Sequence, residues 1–324
     1  MGDGIPFAEF LAGVRPAIDR RIEGVATEDG TLDDDVVRLL LKGKRMRGGL
    51  LLCTHETLAN GNGRWHQALD LACAVELAHA SSLILDDMLD EDTFRRGVGT
   101  LHLTRGQKQA MLDTIGVLSL PYALAAPYGA EYVTMLASTQ RSMASGVMAE
   151  LASSQHLPAP ALYDSVITRK TGHLFSLTAA WGCMAAGQNH SMTNAFARYG
   201  LRVGKAMQIA DDIADLSLIV SGGKQSGFGS EIPLLRRICG DERCTELLQD
   251  IRQRHSEPSK LQRLWSAGKV KQALAAILDV EVMRSTESLR QLPEREVFAR
   301  AAREIVGMVL REEAPRERVS ENRV

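Results

Sequence analysis

The stretch WHQALDLACAVELAHASSLILDDMLD, residues 65–90, decides the fold. Leu69, Leu71, Ala72, Val75, Leu77, Ala78, Leu83, Ile84 and Leu85 put apolar side chains almost all the way round a helix. That pattern predicts a helix buried on every side, not one lying on a surface. No proline falls between Pro16 and Pro121, or between Pro160 and Pro233. Proline inside a helix costs about 3 kcal/mol, so both spans can carry long helices. Apolar spacing predicts further helices over 128–154, 161–186, 192–220, 270–292 and 294–311, and another after Pro233. Breaks fall at 60–63, 96–106, 158–160, 187–191 and 221–230, where Gly, Pro, Asn and Ser collect. No Asn-Gly or Asp-Gly turn separates two alternating runs, so strands are not expected. The reading is all-α: one domain over residues 1–311, with ten or more helices, and a charged tail over 312–324 that frays.

Composition narrows the function. Of 324 residues, 45% are hydrophobic and 24% charged, which fits a folded chain and excludes a disordered one. The balance of 38 Lys+Arg against 40 Asp+Glu argues against nucleic acid as a partner. Aromatics make up only 5%, so the core rests on Leu, Ala, Val, Ile and Met. Cys53, Cys73, Cys183, Cys239 and Cys244 are odd in number and scattered, which is no disulfide framework. Nothing near Cys239 and Cys244 completes a zinc site. Reduced thiols point to the cytoplasm. The start, MGDGIPFAEF, lacks the basic and apolar regions of a signal peptide. The most apolar stretch, 117–130, contains Pro121 and Pro127 and is read as too short to span a bilayer.

The chemistry begins at Asp86-Asp87-Met88-Leu89-Asp90. Asp86 and Asp90 lie about 40° apart on one helix face, with Asp87 one step aside. Acidic residues at a helix end are commonly no more than a solvated terminus. A second copy, Asp211-Asp212-Ile213-Ala214-Asp215, weakens that bland reading. Gln208 shares its face. Three carboxylates need a counter-charge, and Mg²⁺ suits carboxylate, water and phosphate oxygens. Two such clusters in one helical domain read as opposing walls, with metal and a diphosphate between them. Lys44, Arg45 and Arg47, then Arg95 and Arg96, and finally Lys170 beside Thr171 supply donors for phosphate oxygens, although any one pair could be plain surface. His79 stands two turns before Asp86 on the same face, where a core histidine is the ordinary alternative.

Together these residues resemble the trans-isoprenyl diphosphate synthase, or polyprenyl synthetase, family. The likeness runs from about residue 42 to 235 and rests on GKRMR, ELAHASSLILDDMLDEDTFRRG, RKTGHLF and YGLRVGKAMQIADDIADL. It implies an all-α fold around a central cavity, usually in a homodimer. It implies head-to-tail addition of isopentenyl diphosphate to an allylic prenyl diphosphate. By resemblance Asp86, Asp87, Asp90, Asp211, Asp212 and Asp215 hold about three Mg²⁺. Arg95 and Lys170 touch the allylic diphosphate, and Lys44, Arg47, His79 and Arg96 hold isopentenyl diphosphate. Thr171 and Gln208 face the reacting carbons.

Several positions depart from the family pattern. Met207 stands where Phe is usual, and Gly48 where Pro is common. Gly146-Val147 replaces Gly-Gln, with Glu150 following, and a Gly-Asp pair is missing around Thr114-Ile115. The loop 227–233 lacks the usual Lys, for which Lys224 or Lys205 is the expected substitute. In the family, bulky residues just before the first acidic motif close the product tunnel early. Ser81, Ser82, Ala78 and Val75 are small here, which implies geranylgeranyl diphosphate, with Tyr122, Met135 or Met143 as a deeper floor. The alternatives are a synthase of another length (farnesyl or longer), a class I terpene cyclase, and a noncatalytic partner subunit. Residues for two diphosphates weigh against the cyclase, and six retained aspartates against the silent subunit.

Overall fold

Helix α4 (Trp65–Leu89) is the long buried helix that the sequence requires, and its central residues from Leu71 to Ala78 are all buried. The structure is a computed structural model that describes residues 5–28, 30–59, 64–95, 97–153, 160–220 and 260–312. Before α4 come α1 (Phe7–Thr27), α2 (Asp34–Leu41) and α3 (Met46–Leu58). After it come a small antiparallel hairpin, β1 (Phe94–Arg95) and β2 (Val98–Gly99), and the short α5 (Leu101–Thr104). Then follow α6 (Gln107–Ala125), α7 (Ala130–Ser153), α8 (Pro160–Ile167), α9 (His173–Ala185) and α10 (His190–Val220). The described chain resumes with α11 (Lys260–Ser266), α12 (Lys269–Ser285) and α13 (Arg295–Glu312). The all-α reading with more than ten helices holds, the hairpin being the strand structure among the described residues.

Apolar burial divides into two clusters that share α9. Phe175, Ala179 and Cys183 face one, built with Phe196, Tyr199 and Val203 of α10 and Phe298 of α13. Leu174, Leu177, Trp181 and Ala185 face the other, built with α4, α6 and α7. Apolar residues on both sides of α9 explain why it lies inside. Its contact with α10 is very close. A Cβ on Gly200 would meet the Phe175 carbonyl oxygen at 2.1 Å, so only glycine fits there.

Three details differ from expectation. Residues 161–186 are not one helix. A π-helical turn, Thr168–Gly172, joins α8 to α9. Pro121 does not interrupt its segment: it lies buried within α6, which begins as early as Gln107. By length and composition, Trp65–Leu89 and Gln107–Tyr128 are therefore both long and apolar enough to cross a membrane, the first with 61% of its apolar window buried in the protein. The breaks at 60–63 and at 158 and 159, the loop 221–230, the helix after Pro233, Cys239, Cys244 and the tail 313–324 lie outside the described residues.

Candidate active site

The first acidic cluster occupies the C-terminal end of α4. Asp86 is half-buried and Asp90 exposed, but Asp87 is only 2% exposed. The side step of about 100° between neighbours turns Asp87 off the shared face. There it accepts from Arg95 Nε, while Arg95 also donates to Asp92 Oδ2 at 3.2 Å. Burial pushes the Asp86 carboxyl above the usual range, opposed by Lys170 and reinforced by Asp90 and Glu150. Asp90 is pushed up likewise by burial against the pull of Lys170, and Asp87 by burial against Arg95.

The π-helical turn aims two neighbouring side chains at different walls. A wider i→i+5 turn re-aims side chains relative to an α-helix, and such turns recur at functional sites. Lys170 Nζ donates to Glu150 Oε2 of α7 at 2.7 Å. Burial lowers the Lys170 pKa, but Asp86, Glu150 and Asp90 together lift it above the ordinary lysine value. Thr171 turns to α10, where its Oγ1 donates to Gln208 Oε1 at 2.6 Å. Gln208 Nε2 donates in turn to Asp212 Oδ1 at 2.9 Å. Lys170 and Thr171 thus link the acidic end of α4 to the second acidic cluster on α10. Asp211 and Asp215 are half-buried on α10, and Asp212 is 2% exposed.

The Gly43-Lys44-Arg45-Met46-Arg47 element folds around a buried arginine. Arg45 is 2% exposed and has φ 60°, a left-handed conformation unusual for a residue with a side chain. Its guanidinium donates to Asp19 Oδ1 at 2.6 Å and to the Leu40 carbonyl at 2.7 Å, and lies 4.0 Å from Glu76 Oε2. Glu76 Oε1 accepts the Gly48 N–H at 2.8 Å. A cleft beside this element is lined by Gly43, Arg45, Glu76, His79, Asp87 and Arg95. It gathers His79 and Arg95 of the expected diphosphate-binding set. Arg47 is buried elsewhere, with its guanidinium carbon 4.7 Å from the centre of the Phe175 ring. Lys44 is half-buried. Arg96 and Lys224 lie outside the described residues.

Lys205, one of the two expected substitutes for the loop lysine, is 6% exposed, and its Nζ donates to Asp164 Oδ1 at 2.5 Å. Arg95, the expected contact of the allylic diphosphate, pairs with Asp87 and Asp92 on its own side of α4. Sequence reasoning passed over Tyr163, whose hydroxyl donates to Asp212 Oδ2 at 2.6 Å.

Residues 32–226 match the polyprenyl synthetase family. The chain belongs to that family. It is similar to a geranylfarnesyl diphosphate synthase from Methanosarcina mazei, 31% identical over 58% of this chain and 63% of that one. It is also similar to a geranylgeranyl diphosphate synthase from Pantoea ananas, 31% identical over 74% of this chain and 83% of that one. The chain therefore spans less than two thirds of the first relative's length. In fold it resembles the crystal structure of a polyprenyl synthase from Caulobacter crescentus CB15 complexed with calcium and isoprenyl diphosphate. The TM-score is 0.75 at 22% identity, covering 96% of this chain and 99% of that one.

The donor set fits a hard divalent cation. Among the described residues no three His, Cys, Asp or Glu side chains form a ready cage. Mg²⁺ does not need one, because it keeps waters and takes one or two carboxylates plus phosphate oxygens. Burial pushes both Asp86 and Asp90 up against the pull of Lys170, with Asp90 and Glu150 adding to the rise at Asp86 and Asp92 and Glu150 to that at Asp90, so a cation beside them would relieve like charge.

Proposed function

We propose that this polyprenyl synthetase family member is a Mg²⁺-dependent trans-isoprenyl diphosphate synthase. It joins isopentenyl diphosphate head-to-tail to an allylic prenyl diphosphate, and geranylgeranyl diphosphate is the main product. The observation that carries this is the Lys170–Thr171 turn, which links two D-D-x-x-D helices that a diphosphate and its metals would bridge.

In this reading Asp86, Asp90, Asp211 and Asp215 hold about three Mg²⁺ against the allylic diphosphate. When bound, the metal neutralises the charge that builds on the departing diphosphate. Lys170 stays cationic beside them and contacts the same group. The Thr171 and Gln208 oxygens face the carbon that becomes positive. Lys44, Arg47, His79 and Arg96 hold isopentenyl diphosphate so that capture is effectively unimolecular. The released diphosphate takes the final proton, so no side-chain base is assigned.

Two features support a product longer than farnesyl diphosphate. Ala78 and Ser81 are small and turned inward, each 1% exposed, so neither supplies the bulk that would close a tunnel beside α4 early. Ser81 and Ser82 turn their hydroxyls back onto the Ala78 and His79 carbonyls at 2.9 Å each, so their walls are effectively apolar. Tyr122, Met135 and Met143 all pack with the cluster that contains Ala78, and Tyr122 also bonds to Gln140 of α7. A homodimer fits the exposed apolar face of α6 formed by Met111, Leu112 and Ile115. A cytoplasmic location suits the reduced thiols: burial pushes Cys53 up to about 12 and Cys183 to about 11.

Incubation with Mg²⁺, isopentenyl diphosphate and allylic primers of several lengths tests this. Geranylgeranyl diphosphate as the end product is expected. Growth that stops at farnesyl diphosphate contradicts the length assignment. Hydrocarbon or alcohol formed from geranylgeranyl diphosphate alone favours a cyclase.

A further inference from the structure

Asp212 stands between Tyr163 and Gln208, with its two oxygens divided between them. Tyr163 Oη donates to Oδ2 at 2.6 Å and Gln208 Nε2 to Oδ1 at 2.9 Å. Tyr163 and Asp212 are each 2% exposed. The chain continues at Thr171, whose hydroxyl donates to Gln208 Oε1 at 2.6 Å.

Chemistry fixes the direction of these bonds. A carboxylate only accepts, so Gln208 must present its amide nitrogen to Asp212. Its carbonyl oxygen is thereby turned toward Thr171. That oxygen also only accepts, so Thr171 commits its one hydrogen to Gln208. Whatever else the Gln208 and Thr171 oxygens meet, they meet it with lone pairs. A flipped amide would present N–H groups and reverse the sign of the dipole.

We infer that Tyr163 is a positioning residue that fixes Asp212 against Gln208, and that Asp212 is the orienting anion of the Thr171–Gln208 pair rather than a metal ligand. The inference rests on the prenyl-transfer reading above, in which that pair faces a developing cation. It reverses the role expected for Asp212 from its motif. The first motif shows the same division. Asp87, also 2% exposed, is paired with Arg95, while Asp86 and Asp90 are more exposed. In each D-D-x-x-D the second aspartate is thus turned inward to a protein partner, and the first and last share the outer face.

Steady-state kinetics of the full chain with isopentenyl diphosphate, farnesyl diphosphate and Mg²⁺ test this in a double-mutant cycle. Tyr163→Phe is expected to lower kcat about tenfold and to leave both KM values within about twofold. In a Gln208→Leu background the same change is expected to cost less than about twofold, because its target is gone. An equal loss in both backgrounds, or no loss in kcat, overturns the inference. Thermal melting of each variant separates loss of fold from loss of rate. Asp212→Asn gives a second arm that keeps the shape. Its Mg²⁺ affinity, read by calorimetry with inorganic diphosphate, is expected to match wild type while kcat falls, and a weakened Mg²⁺ affinity overturns the inference. If wild type condenses nothing, the underlying reading fails. If wild type condenses normally and the cycle is additive, the inference alone fails.

Discussion

A Cβ placed on Gly146 of α7 would stand 2.8 Å from the backbone nitrogen of Lys170. No real Cβ sits that close to backbone, so the π-helical turn rests against α7 only because residue 146 lacks a side chain. The same approach lets Glu150, one turn further along α7, reach the Lys170 ammonium. Gly146→Ala is expected to push the turn away and raise the KM for farnesyl diphosphate at least tenfold. Overpacking there should also cost about 1–3 kcal/mol, read by urea unfolding. An unchanged KM would show that Lys170 does not depend on this contact.

Arg45 gives a prediction about stability. Its buried guanidinium ties α1, through Asp19, to the end of α2 and to Glu76 of α4. Replacing it with Met leaves Glu76, 4% exposed, without its counter-charge. Arg45→Met is expected to cost about 3 kcal/mol in urea unfolding and to raise the KM for isopentenyl diphosphate more than that for the allylic primer. Equal rises would place Arg45 outside the organisation of Lys44 and Arg47.

His55 sets an acid limit. It is fully buried, and burial holds its pKa below the ordinary value although Glu56 pulls the other way. The fold therefore favours the neutral ring, whereas the unfolded chain protonates it below about pH 6.5. Its contribution is complete above that value and is lost as pH falls. The melting temperature is expected to drop between pH 7.5 and 5.5, and the drop should shrink in His55→Gln. An identical drop in both proteins would assign the acid sensitivity elsewhere.

Metal removal separates oxygen ligation from other chemistry. The assigned donors are all carboxylates, which suit Mg²⁺ and Mn²⁺ better than soft-ligand metals. EDTA is expected to abolish condensation, and Mg²⁺ or Mn²⁺ to restore it. Activity that survives exhaustive chelation would remove the metal from the account.

Much of the site was legible because it repeats a residue type at helical spacing. Asp86 with Asp90, and Asp211 with Asp215, follow from the period of 3.6 alone. What could not be read is which neighbour turns inward. The partners of Asp87 and Asp212 come from Arg95 on the hairpin and Tyr163 on α8, and no local pattern announces those contacts. The π-helical turn was hidden because apolar spacing over 161–186 fits an uninterrupted helix nearly as well. Pro121 was misread because a proline signals a break only on average, and burial can hold it inside a helix. Lys205 looked available by position, but its partner Asp164 lies on another helix.

The central claim is that the two acidic clusters share one metal–diphosphate site. The most direct measurement is the Mg²⁺-dependent rate of condensation of isopentenyl diphosphate with farnesyl diphosphate by Asp86→Ala and by Asp211→Ala, each folded by its melting curve. Both are predicted to lose several orders of magnitude in rate. Near-normal turnover in either variant would contradict the account.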